Sequence, residues 1–146
     1  MDLTENIKKF GELVSSSEHI LLVQPDKLDT DSIASALALG SVFKKLGKGV
    51  SFYSALHVPR SLQYVSGWEN IGSMMPTDFD LTILVDGAPQ KELIGEFKDL
   101  LGSKPFVHFD HHSARPSFPF SVLEVVDPEA AATGELIYKV VEQLDW

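Results

Sequence analysis

The chain comprises 146 residues with no cysteine, a formal net charge of −9 and 44% hydrophobic residues, a balance that suits one globular domain and excludes disordered or disulfide-held chains. The acidic charge argues against a nonspecific duplex-DNA binder, which must replace counterions with a basic surface, and the lack of Cys removes thiol nucleophiles and thiolate zinc sites while leaving carboxylate and imidazole sites open. The longest uncharged stretch, Ser32 to Phe43, is shorter than the roughly 20 apolar residues that span a bilayer, and the N-terminus has no basic region followed by an apolar one; no membrane partner and a cytoplasmic location are expected.

Apolar residues at Leu3, Ile7, Phe10 and Val14 recur at helical spacing and predict an amphipathic helix over Asp2 to Val14. His19 to Val23 reads as a short buried strand. From Asp31, Ile33, Leu37, Val42 and Leu46 mark an Ala-rich helix stopped by Gly47. Val50 to Ala55 is a strand, Arg60 to Val65 a short helix and Glu69 to Met74 a short strand. Asp80 to Val85 is a strong strand leading into Asp86, followed by Pro89 and a helical pattern through Leu101. Phe106 to Phe109 is a strand leading into Asp110, Ser121 to Val126 an edge strand, and Ala130 to Leu144 a final helix. Alternating strands and helices predict a three-layer α/β, Rossmann-like domain with a mainly parallel sheet and helices on both faces.

In such sheets ligands bind beyond the carboxyl ends of the strands. Three apolar strands are followed there by Asp: Asp29 and Asp31 after the first, Asp86 after Asp80 to Val85, and Asp110 after Phe106 to Phe109. Carboxylates gathered together resist joint ionisation unless a cation neutralises them, and His111 and His112 add imidazoles suited to Mn, Fe or Zn. The pattern reads as a divalent metal site. Each part also has a plainer reading: Asp29 or Thr30 as a helix cap, Asp86 before Gly87 as a turn residue, and His111-His112 as a solvated loop. His108 falls inside its strand, as a core residue or a support for ligands.

The segments ILLVQPDKLDTDSIASALAL at Ile20 to Leu39, LTILVDGAP at Leu81 to Pro89 and VHFDHHSARP at Val107 to Pro116 together resemble the DHH phosphoesterase family. Asp29-Thr30-Asp31 resembles its paired aspartates, Asp86 its second motif, and Asp110-His111-His112 its eponymous triplet; Thr133 to Tyr138 resembles the helix after that triplet. The resemblance implies two divalent cations, manganese or magnesium, bridged by Asp86 and a water-derived hydroxide. It implies Asp29 on one ion, Asp31 and His111 on the other, and Asp110 and His112 supporting the ligands or touching phosphate. Arg115 is a candidate contact to a substrate phosphate.

The same resemblance places a histidine four residues before Asp29, where this chain has Pro25, with Gln24 and Asp26 beside it; Asp26, a water or the substrate would have to fill the place. A further metal-binding Asp motif and a substrate domain follow in that family, so residues 1–146 read as its N-terminal catalytic domain, weak or inactive in isolation. The implied reaction is hydrolysis of phosphoesters in short oligonucleotides or small nucleotides. Family II pyrophosphatases are an alternative, although Gly87 stands where they carry His, and a catalytically weak nucleotide- or metal-binding module is another. A two-component receiver domain is disfavoured, because Lys104 follows a helical pattern rather than its own strand. A homodimer is compatible with this reading.

Overall fold

The computed structural model describes residues 2–87, 104–114 and 121–146. Its elements are α1 (Leu3–Ser15), β1 (His19–Val23), α2 (Thr30–Lys45), β2 (Gly49–Tyr53), β3 (Ile71–Gly72), β4 (Leu81–Val85), β5 (Phe106–Asp110), β6 (Leu123–Val126) and α3 (Thr133–Leu144), with 3-10 turns at Arg60–Leu62 and Trp68–Asn70. The six strands form one sheet in the order β3-β2-β1-β4-β5-β6, and every neighbouring pair is parallel. The order reverses between β1 and β4. That reversal opens a crevice at the carboxyl ends of the two central strands.

Strand alternation divides the core. Ile20, Leu22, Ile83, Val85, Val107 and Phe109 pack with Phe10, Leu39, Phe43 and Leu136 from α1, α2 and α3, whereas Leu21, Val23 and Leu84 lie on the other face with Tyr53 and Phe79. All three described helices thus cover the same face. The helix expected from Pro89 to Leu101 falls outside the described residues. Strands β4 and β5 are buried at every position, as their continuous apolar runs require of central parallel strands. None of the described helices is long and apolar enough to cross a membrane.

Several boundaries shift from the sequence reading for local reasons. Glu69 and Asn70 are taken up by a 3-10 turn, so β3 keeps only Ile71–Gly72. Asp110 lies inside the ladder opposite Val126, so β5 carries its carboxylate on the last strand residue rather than in the loop. The final helix starts at Thr133 because Ala130 closes a turn onto the Asp127 carbonyl at 3.1 Å. Asn6 Nδ2 donates to the Glu124 carbonyl at 2.9 Å and Gln143 Nε2 to the Thr4 carbonyl at 3.0 Å, tying α1 to β6 and α3. The ring of Phe10 meets Phe109 edge-on at 4.8 Å, inside the range in which aromatic pairs add to burial.

Candidate metal centre

The connection after β1 runs through Gln24 and Pro25 to Asp29, where α2 begins. Asp29 does cap this helix: Oδ1 accepts the Ser32 amide at 2.8 Å, and Ser32 Oγ accepts the Asp29 amide at 3.1 Å. Two residues on, Asp31 turns across the crevice to the start of α3. Its Oδ2 accepts the Thr133 amide at 2.8 Å, and its Oδ1 accepts the Gly134 amide at 3.1 Å and Ser35 Oγ at 3.0 Å. Ala132, the N-cap of α3, has no side-chain hydrogen bond to offer, so a carboxylate from another helix satisfies those amides and sits at the positive end of the dipole.

Asp86 leaves β4 in the left-handed region with φ 70°, followed by Gly87 at φ 56°. Asp tolerates this conformation better than most side chains, and the turn is fastened on both sides. The Asp86 amide donates to the Phe109 carbonyl at 2.8 Å, Thr133 Oγ1 donates to Asp86 Oδ1 at 2.9 Å, and the buried His108 donates Nε2–H to the Gly87 carbonyl at 2.9 Å. His108 is therefore a support for the turn that carries Asp86. Asp86 is nearly fully buried, and burial pushes its carboxyl up from the usual range; the charges of Asp31 and Asp29 push the same way, against the Thr133 hydroxyl and His112.

At the end of β5, Asp110 Oδ1 gathers the His111 amide at 2.8 Å, the His112 amide at 3.1 Å and His112 Nδ1 at 2.6 Å. This bond raises the His112 imidazole above its usual value, with Asp86 and Asp29 adding to the rise. His111 turns the other way. Its Nδ1 donates to the Ala130 carbonyl at 3.2 Å, which leaves the Nε2 lone pair directed into the crevice. His111 Nε2 stands 3.8 Å from Asp31 Oδ2 and 4.0 Å from Asp86 Oδ1, and His112 Nδ1 stands 3.7 Å from the same Asp86 oxygen.

Asp86, His111 and His112 offer ligand atoms within 4.8 Å of one another. Separations below about 4.2 Å, twice a typical 2.1 Å ligand bond, let two donors share one ion. The donor set is carboxylate and imidazole and is crowded with negative charge, which fits a divalent cation; Asp110 Oδ2 is buried 3.8 Å from His108 Nε2 and has no hydrogen-bond partner among the described residues. Of the residues singled out in the sequence, Asp31, Asp86, Asp110, His111 and His112 meet in one cluster, Asp29 lies at the rim as a helix cap, and Arg115 falls outside the described residues. Asp26 is half-buried and makes no hydrogen bond or ion pair among the described residues. Sequence reasoning missed the clamp formed by Thr133 and Gly134. Its signal was a helix start, Ala131-Ala132-Thr133-Gly134, whose preceding residues lack a capping side chain.

An all-parallel α/β sheet with Asp and His converging at its switch point defines a domain of the metal-site α/β class. This chain belongs to the DHH family: it matches that family's N-terminal domain over residues 19–145. In structure it is similar to an exopolyphosphatase-related protein from Bacteroides fragilis, with a TM-score of 0.80 and 20% identity over 96% of this chain. The chain spans 44% of that protein's length. No curated protein sequence matches it.

Proposed function

We propose that this domain hydrolyses phosphoester or phosphoanhydride bonds of small nucleotides or short oligonucleotides with two divalent cations, manganese being the first choice. The observation that carries the reading is the approach of two carboxylates to one imidazole at the carboxyl edge of the sheet, Asp31 Oδ2 at 3.8 Å and Asp86 Oδ1 at 4.0 Å from His111 Nε2. Asp31 and His111 would hold one ion, Asp29 the other, and Asp86 both. Such ions lower the pKa of water and offset charge developing at phosphorus.

The chain's own groups divide the remaining work. Asp110 fixes the His112 ring through Nδ1, which leaves Nε2 to face a phosphoryl or leaving-group oxygen. Thr133 fixes the orientation of Asp86, and His108 fixes the turn that bears it. A net charge of −9 favours a small substrate whose phosphates are met by cations over a duplex that needs a basic surface. The second reading, a pyrophosphatase-like hydrolase, is favoured by the likeness to a protein described as exopolyphosphatase-related.

The test is a manganese titration by calorimetry with hydrolysis of bis-p-nitrophenyl phosphate and of pyrophosphate followed in the same samples. Two-site binding with diester turnover supports the first reading, and turnover of pyrophosphate alone supports the second. A chain that binds no manganese refutes both.

A further inference from the structure

Gln24 is the first residue beyond β1, at the reversal of strand order. It is 3% exposed, and among the described residues neither its Oε1 nor its Nε2 has a hydrogen-bond partner. A buried polar group left in that condition is destabilising, a cost that a Leu or Met of similar volume would not incur. The backbone leaves little freedom in its placement. The Gln24 amide continues the ladder to the Tyr53 carbonyl at 2.9 Å, and since Leu22 pairs with Ile83 and Val23 with Leu84, Gln24 falls beside Val85. Leu22, Ile83 and Val85 all belong to the helix-covered core, so strand alternation sets Gln24 on that face, where α2 crosses β1 and β4. The residue after Val85 is Asp86, and Asp31 lies in the first turn of α2.

Pro25 cannot supply a ligand, and its ring is committed elsewhere: its Cβ lies 3.1 Å from where a side chain on Gly87 would begin. We propose that Gln24 takes the place that Pro25 leaves empty of donors, its carboxamide Oε1 coordinating the ion on the Asp29 side of Asp86. The inference rests on the two-ion reading above. An amide oxygen is a neutral, hard donor, so this ion site favours Mn2+ and Mg2+ over Zn2+ more strongly than an imidazole site would.

The experiment compares the full chain with Gln24→Met and Gln24→His, using calorimetric titration with Mn2+ and Zn2+ and the electron paramagnetic resonance of bound Mn2+, alongside melting temperature. Expected are two Mn2+ sites in the parent chain and a loss of at least about tenfold in affinity at one of them in Gln24→Met, with melting temperature in the metal-free state unchanged or raised. Gln24→His should recover that site with its preference moved at least about tenfold toward Zn2+. Two intact sites in Gln24→Met would overturn the assignment while leaving the two-ion reading standing. If Gln24→Met does not fold, an unchanged Zn2+ to Mn2+ preference in Gln24→His overturns it instead. A parent chain without Mn2+ binding removes the two-ion reading itself, and this inference with it.

Discussion

Asp31 and Thr133 are 102 positions apart and joined by a 2.8 Å hydrogen bond from the Thr133 amide to Asp31 Oδ2. The carboxylate that stands 3.8 Å from His111 Nε2 is thereby also the cap of the last helix. Site and scaffold share one side chain, and the two roles separate by experiment.

Asp31→Ala removes the acceptor for the Thr133 and Gly134 amides. Loss of a helix cap costs about 0.5–2 kcal/mol, so thermal unfolding of the metal-free chain should drop by several degrees. The same substitution removes one of the charges that hold the Asp86 carboxyl up. An Asp31→Ala chain as stable as the parent would show that the clamp contributes nothing.

Asp86→Asn separates charge from shape. Asn tolerates the left-handed backbone, and its carbonyl oxygen still accepts Thr133 Oγ1, but the buried charge is gone. Metal-free stability should hold or rise, while Mn2+ affinity falls at least about a hundredfold, because the proposed reading gives Asp86 to both ions. Manganese affinity equal to that of the parent chain rules out Asp86 as the bridge.

The two histidines should differ. His111 presents Nε2 to Asp31 and Asp86, whereas His112 is bound through Nδ1 to Asp110. His111→Ala is expected to weaken Mn2+ binding by about 10–100-fold; His112→Ala should lower kcat with a smaller change in Mn2+ affinity. The reverse ranking in paired calorimetric and kinetic measurements would exchange their roles.

Asp127 provides a control outside the cluster. Its Oδ2 binds Lys139 Nζ at 2.8 Å and its Oδ1 the Glu129 amide at 3.1 Å, and the Lys139 hydrogen bond holds the carboxyl below its usual value. A depressed folded-state pKa stabilises the fold above the unfolded value near about pH 4, and that contribution is lost as pH falls through the folded value. Asp127→Asn should therefore melt slightly lower than the parent at neutral pH, by no more than about 1 kcal/mol, with the difference closing in acid. Its Mn2+ titration should be unchanged. A loss of metal binding in this variant would redraw the ligand set.

The parts of this domain that the sequence made legible are those written in local pattern. Apolar runs with Asp at or beyond their carboxyl ends located β1, β4 and β5, because a central parallel strand is apolar on both faces and polar residues follow its exit. The plainer reading of Asp29, as a helix cap, is what the structure shows, and its place as a metal ligand belongs to the proposal. The short β3 was overextended, since Glu69 and Asn70 enter a turn set by Gly67 at φ 92°, a backbone state that composition does not announce. The Asp31 clamp and the burial of Gln24 were hidden for a different reason. Which helix start docks on which carboxylate, and which polar residue is covered, are facts of tertiary packing that no window of neighbouring residues contains.

The tie between the two ends of the fold governs when the crevice comes into existence during synthesis. Strands β1 and β2 pair within one βαβ unit, so that half of the sheet forms as soon as it emerges. Asp31 and Asp86 are made early but acquire their shared fastener only with Thr133, and α1, which meets Lys48 through the Ser15 carbonyl, is tied to β6 and α3 last. A nascent chain halted before Thr133 therefore carries two unfastened carboxylates that repel one another. On the proposed two-ion reading, cation binding and docking of the last helix draw on the same carboxylate, so each would favour the other.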